Sequence, residues 1–163
     1  DDRLPTDTRE MTISLDEHPL KEFYFKFTNG KLRVSWTEKN EVSVRCKFEG
    51  GAPDTLINVQ GAAATTDVRQ SFASKCDIGL PSSVSMVVTG NNADVNLNRI
   101  KSDFRMEVSN ANVQIEEDEK TAYVYKLEVV NGRLDDFSSN PSKDAKSIEI
   151  NVSNGFISKK IEK

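Results

Sequence analysis

The chain is poor in the residues that usually hold metals and cofactors. Its 163 residues include one histidine, His18, and two cysteines, Cys46 and Cys76. A structural zinc site takes four cysteine or histidine ligands, so these three residues do not make one, and we expect no cofactor. The cysteines are either two small buried residues or one disulfide in an oxidising compartment, and the sequence leaves both alternatives open.

Long apolar runs and an excess of positive charge are also absent. No run approaches the roughly 18–20 residues that a membrane helix needs. The chain has 22 Lys plus Arg against 26 Asp plus Glu, a net charge of −4, whereas nucleic acids and anionic membranes are captured by basic surfaces. We therefore expect no nucleic acid partner and no membrane span in this segment. Because the chain begins at Asp1 and not at Met, we also expect that a signal peptide has been removed.

Alternating apolar residues are what the sequence does contain, in six triplets with the period of two that marks a strand with one buried face. The middle residues of these triplets are expected to form one continuous inward stripe. The triplets are Phe23/Phe25/Phe27, Val44/Cys46/Phe48, Val84/Met86/Val88, Phe104/Met106/Val108, Tyr125/Leu127/Val129 and Ile148/Ile150/Val152.

A turn made of asparagine or glycine follows these triplets. Both residues tolerate a positive φ, so they mark places where the chain bends sharply. The predicted repeat turns are Asn29-Gly30, Gly90, Asn110, Asn131-Gly132 and Asn154-Gly155.

The triplets recur at a nearly constant spacing: after Val88, their third members follow at intervals of 20, 21 and 23 residues. Such a period is typical of a solenoid. The sequence therefore predicts one all-β domain over residues 1–163, a right-handed parallel β-helix with coils of about 20 residues. Residues 1–20 would form a cap or lead-in strand, 49–83 an irregular coil or insertion, and 84–163 the most regular coils. Because an Asn-Gly pair also forms hairpin tips, a β-sandwich or an antiparallel hairpin sheet is the alternative.

The stretch "DIGLPSSVSMVVTGNNADVNLNRIKSDFRMEVSNANVQIEE", residues 77–117, resembles the bacterial putative-adhesin domains of unknown function. Ile78, Leu80 and Pro81 match the lead-in of that family, and an alternating strand, a Gly or Asn turn and a second strand follow. The resemblance implies a right-handed β-helix exported to the periplasm, the outer membrane or the cell surface. It brings no catalytic residues.

Two acidic segments are the candidates for chemistry. The run Glu116–Glu119 lacks the spaced ligands and the glycine of a calcium loop, which predicts a solvated turn. Asp135-Asp136 supplies half of a glycosidase carboxylate pair, but no set of Asp, Lys and Arg recurs at matching positions of adjacent coils. We expect no enzyme.

The function expected from the sequence is therefore a non-enzymatic, adhesin-like envelope or surface module. It would bind an unknown protein or an envelope polysaccharide through its strand faces, and a homo-oligomer is left open. A carbohydrate-active lyase or hydrolase and a self-assembling scaffold are the alternatives.

Overall fold

The alternation of apolar and polar residues produces ten strands in the computed structural model, which describes residues 4–160. Val, Ile and Phe make up most of the buried side chains of the strands, as expected for residues that pack well on a pleated surface. No helix is formed by the described residues, so none of them could cross a membrane as a helix. The strands are β1 (Thr6–Ser14), β2 (Glu22–Trp36), β3 (Glu41–Glu49), β4 (Asn58–Gln60), β5 (Ala63–Asp67), β6 (Ala73–Leu80), β7 (Ser85–Asn98), β8 (Phe104–Glu116), β9 (Tyr123–Leu134) and β10 (Lys146–Lys159).

These strands form one mixed sheet, in the order β1-β3-β6-β2-β7-β8-β10-β9, with β5 and then β4 branching from β2. The pairs from β6 through β2, β7, β8 and β10 to β9 are parallel, and so is the β2–β5 pair. The pairs β1–β3, β3–β6 and β4–β5 are antiparallel.

The longest strands bend in the middle, so that both halves of each strand face one core. In β8 the buried residues alternate up to Val108 and resume at Ala111, three residues later. Trp36 in the second half of β2 packs edge to face against Phe104 in the first half of β8, with ring centroids 6.0 Å apart. The first halves of the bent strands therefore form a first layer, and the second halves form a second layer packed against it.

The two layers separate at β2. Residues Glu22–Lys26 of β2 continue the first layer into β5, whereas Gly30–Trp36 continue the second layer into β6, β3 and β1. A disulfide between Cys46 and Cys76 joins β3 and β6. The two cysteines are directly opposed in the strand register, and their Cα atoms are 4.1 Å apart.

The prediction of a regular right-handed parallel β-helix is wrong. The sheet is open and mixed, three of its strand pairs are antiparallel, and β10 lies between β8 and β9 instead of following β9. Alternation reports only which face of a strand is buried, and it is the same for parallel and antiparallel neighbours. The architecture fits a sheet or sandwich.

Side-chain burial explains why β10 takes the inner position. Ile148, Ile150 and Val152 of β10 are each at most 1% exposed. The corresponding residues of β9, Tyr125, Leu127 and Val129, are only half-buried. The strand with the more apolar inward face thus has a neighbour on both sides, which removes the most apolar surface from water.

The predicted lead-in contains a strand, and the segment expected to be irregular forms strands as well. Residues 4–20 of the predicted lead-in (residues 1–3 lie outside the described part) contain β1, and residues 49–83 contain β4, β5 and β6.

In the inward stripe, Met86 lies beside Phe104, and Val88 lies beside Met106. The predicted alignment of β7 with β8 is therefore offset by two residues, which leaves the same side chains on the buried face.

Candidate functional site

The bends in the five long strands occur at asparagines. Each of these residues has a positive φ, which an asparagine adopts at lower cost than most residues because its short amide can bond locally. The five are Asn29 (49°), Asn92 (56°), Asn110 (51°), Asn131 (61°) and Asn154 (62°). We call them the corner asparagines.

The strand register places the corner asparagines in one row, in the order Asn29, Asn92, Asn110, Asn154 and Asn131. Their amides are linked side by side. The Nδ2 of Asn92 donates to the Oδ1 of Asn29 at 2.9 Å, that of Asn154 to Asn110 at 3.5 Å, and that of Asn131 to Asn154 at 3.1 Å. Asn110 donates to the neighbouring Asn91 at 3.1 Å. All five side chains are exposed, so the row forms an outward edge of the protein.

Small residues follow the corner asparagines and leave a groove beside the row. The register partners at this position are Gly30, Ala93, Ala111, Gly155 and Gly132. None of them has a side chain larger than a methyl group. The groove has a volume of about 540 Å³ and runs from Lys75 on β6 to Asn154 on β10. It crosses five strands, so its length is about 19 Å at roughly 4.8 Å per strand spacing.

The wall of the groove on the second layer carries charged and amide side chains. Lys75, Lys31, Asp94 and Asn112 are successive register partners along this wall. Lys31, Asp94 and Asn112 also line an adjoining depression of about 340 Å³ that contains Asn96 and Gln114. We call this surface, together with the corner asparagines, the amide groove.

An aromatic ring continues the wall beyond Asn112. Phe156 of β10 is the register partner of Asn112, and Arg133 of β9 is the partner of Phe156. Phe156 is 42% exposed, and the Arg133 guanidinium lies over its ring, 5.2 Å from the centroid. The groove thus ends beside a planar apolar surface that is capped by a cation.

The predicted turn residues are placed in this region with one difference. Asn29, Gly30, Asn110, Asn131, Gly132, Asn154 and Gly155 lie at the bends. Gly90 does not, because the bend of β7 occurs at Asn92, which has the positive φ. Gly90 lies within the strand beneath the buried ring of Phe27, where a Cβ would overlap ring carbons. Its role is to leave room for that ring.

The acidic residues expected to form a solvated turn are occupied by local contacts. Glu117 accepts a hydrogen bond from the Tyr125 hydroxyl at 2.6 Å and pairs with Lys159 at 3.0 Å. Asp118 accepts from the Thr121 hydroxyl at 2.6 Å. Within residues 4–160, no three His, Cys, Asp or Glu side chains are grouped to hold a metal ion.

Asp135 and Asp136 lie on the loop after β9, outside the amide groove. The Asp135 carboxylate accepts a hydrogen bond from the Lys159 backbone N–H at 2.9 Å, while its own N–H donates to the Ile157 carbonyl at 3.0 Å. Its carboxylate therefore caps the end of β10. Asp136 is exposed.

Two tyrosines close the core beneath β9. The Tyr123 hydroxyl donates to the Ile100 carbonyl at 2.6 Å and accepts from the Asp118 N–H at 2.9 Å. Burial raises the pKa of Tyr123 to about 12. Burial, and then the hydrogen bond to Glu117, raise the pKa of Tyr125 as well. Both phenols are therefore neutral hydrogen-bonding groups at physiological pH.

Comparison with known proteins gives a likeness in fold. No family model and no curated protein sequence matches the chain. A protein from Clostridium sporogenes described as a putative cell adhesion protein has a similar structure, with a TM-score of 0.60 over 97% of this chain and 100% of that chain, at 11% identity. A putative adhesin from Parabacteroides merdae covers 96% of each chain at 9% identity, but its TM-score of 0.30 is too low to support an argument.

Proposed function

We propose that this chain is a non-catalytic, adhesin-like module of the bacterial envelope or cell surface that binds an extended polysaccharide in the amide groove. The observation that carries the proposal is the groove itself, an open channel lined by four of the five corner asparagines, Asn29, Asn92, Asn110 and Asn154. The likeness in fold to a protein described as a putative cell adhesion protein supports the assignment to this class.

The chemistry of the groove suits a ligand rich in hydroxyl groups. An amide side chain has two donors and an acceptor oxygen, so it can donate a hydrogen bond to a hydroxyl group or accept one from it. The corner asparagines and Asn112 repeat such groups at the spacing of neighbouring strands, about 4.8 Å, which is close to the length of one sugar unit in an extended chain. Phe156 adds a surface on which a sugar ring can pack.

The disulfide supports a location outside the cytoplasm. Cys46 and Cys76 are bonded, and both are at most 3% exposed. Structural disulfides persist mainly in oxidising compartments such as the periplasm and the cell exterior. An exported module that binds an envelope polymer meets this condition.

Polysaccharide binding by purified protein tests the proposal, with a glycan array followed by calorimetric titration of the best binder. Asn112→Ala and Lys31→Ala should each weaken binding several-fold, since one net hydrogen bond contributes about 0.5–1.5 kcal/mol. Asn151→Ala is the matched control, because Asn151 is also an exposed asparagine but lies on the outer face of the first layer. Equal losses in Asn112→Ala and Asn151→Ala, or no binding to any polysaccharide, would contradict the proposal.

A further inference from the structure

Strand β9 forms an open edge of the first layer. Within residues 4–160 it pairs with one strand only, β10. Apolar side chains remain exposed on it: Val124 is 41% and Val130 is 49% exposed, and Leu127 is only half-buried. A strand edge of this kind can pair with another strand.

The backbone of β9 is covered at its start and free in its middle. The Tyr123 carbonyl accepts a hydrogen bond from the Asn140 N–H at 2.8 Å, and the Tyr125 N–H donates to the Ser139 hydroxyl at 3.0 Å. Alternate residues of a parallel strand direct their amide groups to the same edge, so Leu127 and Val129 face this open edge too.

Two features limit the open segment, and they are equidistant from Leu127. The backbone of the loop after β9 covers the Tyr123 carbonyl, four residues before Leu127, whereas at Tyr125 the loop contributes only the Ser139 hydroxyl, which a partner strand can replace. The bend at Asn131 ends the first half of the strand four residues after Leu127. A partner strand therefore has its centre at Leu127.

The sequence around Leu127 is complementary to itself in the antiparallel direction. With Leu127 opposite Leu127 of a second copy, Lys126 faces Glu128 and Val124 faces Val130. Opposite charges and β-branched residues are favourable cross-strand pairs, and twofold symmetry makes each pair occur twice.

We propose that two copies of this chain associate through β9, pairing antiparallel about a twofold axis at Leu127. The two Leu127 residues exchange both backbone hydrogen bonds across the axis. The Tyr125 N–H passes from the Ser139 hydroxyl to the Val129 carbonyl of the second copy. The resulting dimer carries two amide grooves, which raises its avidity for a repeating polymer.

Charge reversal tests the pairing, with the dimer dissociation constant of the full chain measured by analytical ultracentrifugation. Lys126→Glu and Glu128→Lys should each weaken self-association roughly tenfold, because each puts like charges opposite one another at two positions. An equimolar mixture of the two variants restores opposite charges in both pairs and should dimerise like the wild type.

The matched control is Glu107→Lys. Glu107 lies on the same outer face, on the interior strand β8, in one register row with Asn151 and Glu128. The Glu107→Lys substitution should leave the dimer dissociation constant unchanged. A wild type that stays monomeric at about 1 mM, a mixture that associates no better than its components, or a Glu107→Lys variant as impaired as Glu128→Lys would each overturn the proposal.

A cysteine placed at the axis tests the register independently. Leu127→Cys should form an intermolecular disulfide on mild oxidation, because directly opposed Cα atoms lie about 5.5 Å apart. Val129→Cys should not, since the two copies of this residue would be displaced by four positions, about 13 Å. Crosslinking of Val129→Cys as fast as Leu127→Cys would rule out this register.

Discussion

The Cα atom of Gly155 lies against the carbonyl oxygen of Ala111, its register partner on β8, so closely that a Cβ on Gly155 would overlap that oxygen. The contact arises directly after the corner asparagines, where adjacent strands turn together. A similar contact occurs at Gly30, against the Ser74 carbonyl, and at Gly132, against the Gly155 carbonyl, which explains why these positions are glycine.

Gly155→Ala should therefore destabilise the protein by about 1–3 kcal/mol, the usual cost of forcing an extra group into a packed site. Ala111→Gly at the partner position should cost only about 0.5–1 kcal/mol, from the greater freedom of the unfolded chain. Urea unfolding of the two variants measures the difference. Equal losses would mean that the space at Gly155 is not limiting.

Substitutions of the corner asparagines should destabilise the protein more through the positive φ at these positions than through the loss of the amide. Asn110→Ala should cost about 1–2 kcal/mol, because alanine resists a positive φ. Asn110→Gly removes the same side chain without that penalty and should be less harmful. Thermal melts of both variants test this order, and a larger loss in the glycine variant would show that the amide hydrogen bonds dominate.

The inner position of β10 gives a second comparison. Ile150→Ala should cost about 2–5 kcal/mol, as expected for a fully buried aliphatic side chain. Leu127→Ala, at its register partner on β9, should cost less than half as much, since Leu127 is only partly buried. Urea melts at low protein concentration, where the chain is monomeric, measure the loss of stability in both variants. An equal loss in the two would mean that β9 lies as deep in the core as β10.

The tyrosines beneath β9 should make stability fall at high pH. The folded-state pKa values of Tyr123 and Tyr125 are raised above the ordinary value of 10.0. The unfolded chain therefore releases these protons first, so the stabilisation is complete below about pH 10 and is lost as the pH rises through the folded values. Urea melts between pH 9 and 12 should show the fall, and Tyr125→Phe should make it shallower. A fall of the same steepness in that variant would assign the effect to other groups.

The sequence is informative about faces and bends. The period of two identifies inward residues such as Phe104, Met106 and Val108, and the repeated asparagines mark four of the five bends. Asn92 was missed because Gly90 precedes it in the same segment and accepts a positive φ equally well. The spacing of the residues could have identified Asn92. Each corner asparagine lies two positions after the last inward residue in the first half of its strand, and Asn92 lies two positions after Gly90.

Strand order and pairing direction are not visible in the same pattern. The regular interval from Val108 to Val129 to Val152 suggested neighbours in chain order, but an interval does not state which strands meet. The amide groove was not predicted either, because its wall joins Lys75, Lys31, Asp94 and Asn112 from four strands that only the register brings together.

The position of β10 between β8 and β9 also sets an order of events during synthesis. Residues 123–134 leave the ribosome before residues 146–159, yet every ladder contact of β9 within the described chain is made with β10. Until β10 has docked on β8, β9 has no template and remains an unpaired apolar segment. The nascent chain therefore carries an exposed strand for the time needed to translate the next 25 residues, from 135 to 159, and this interval is when the protein is most exposed to aggregation.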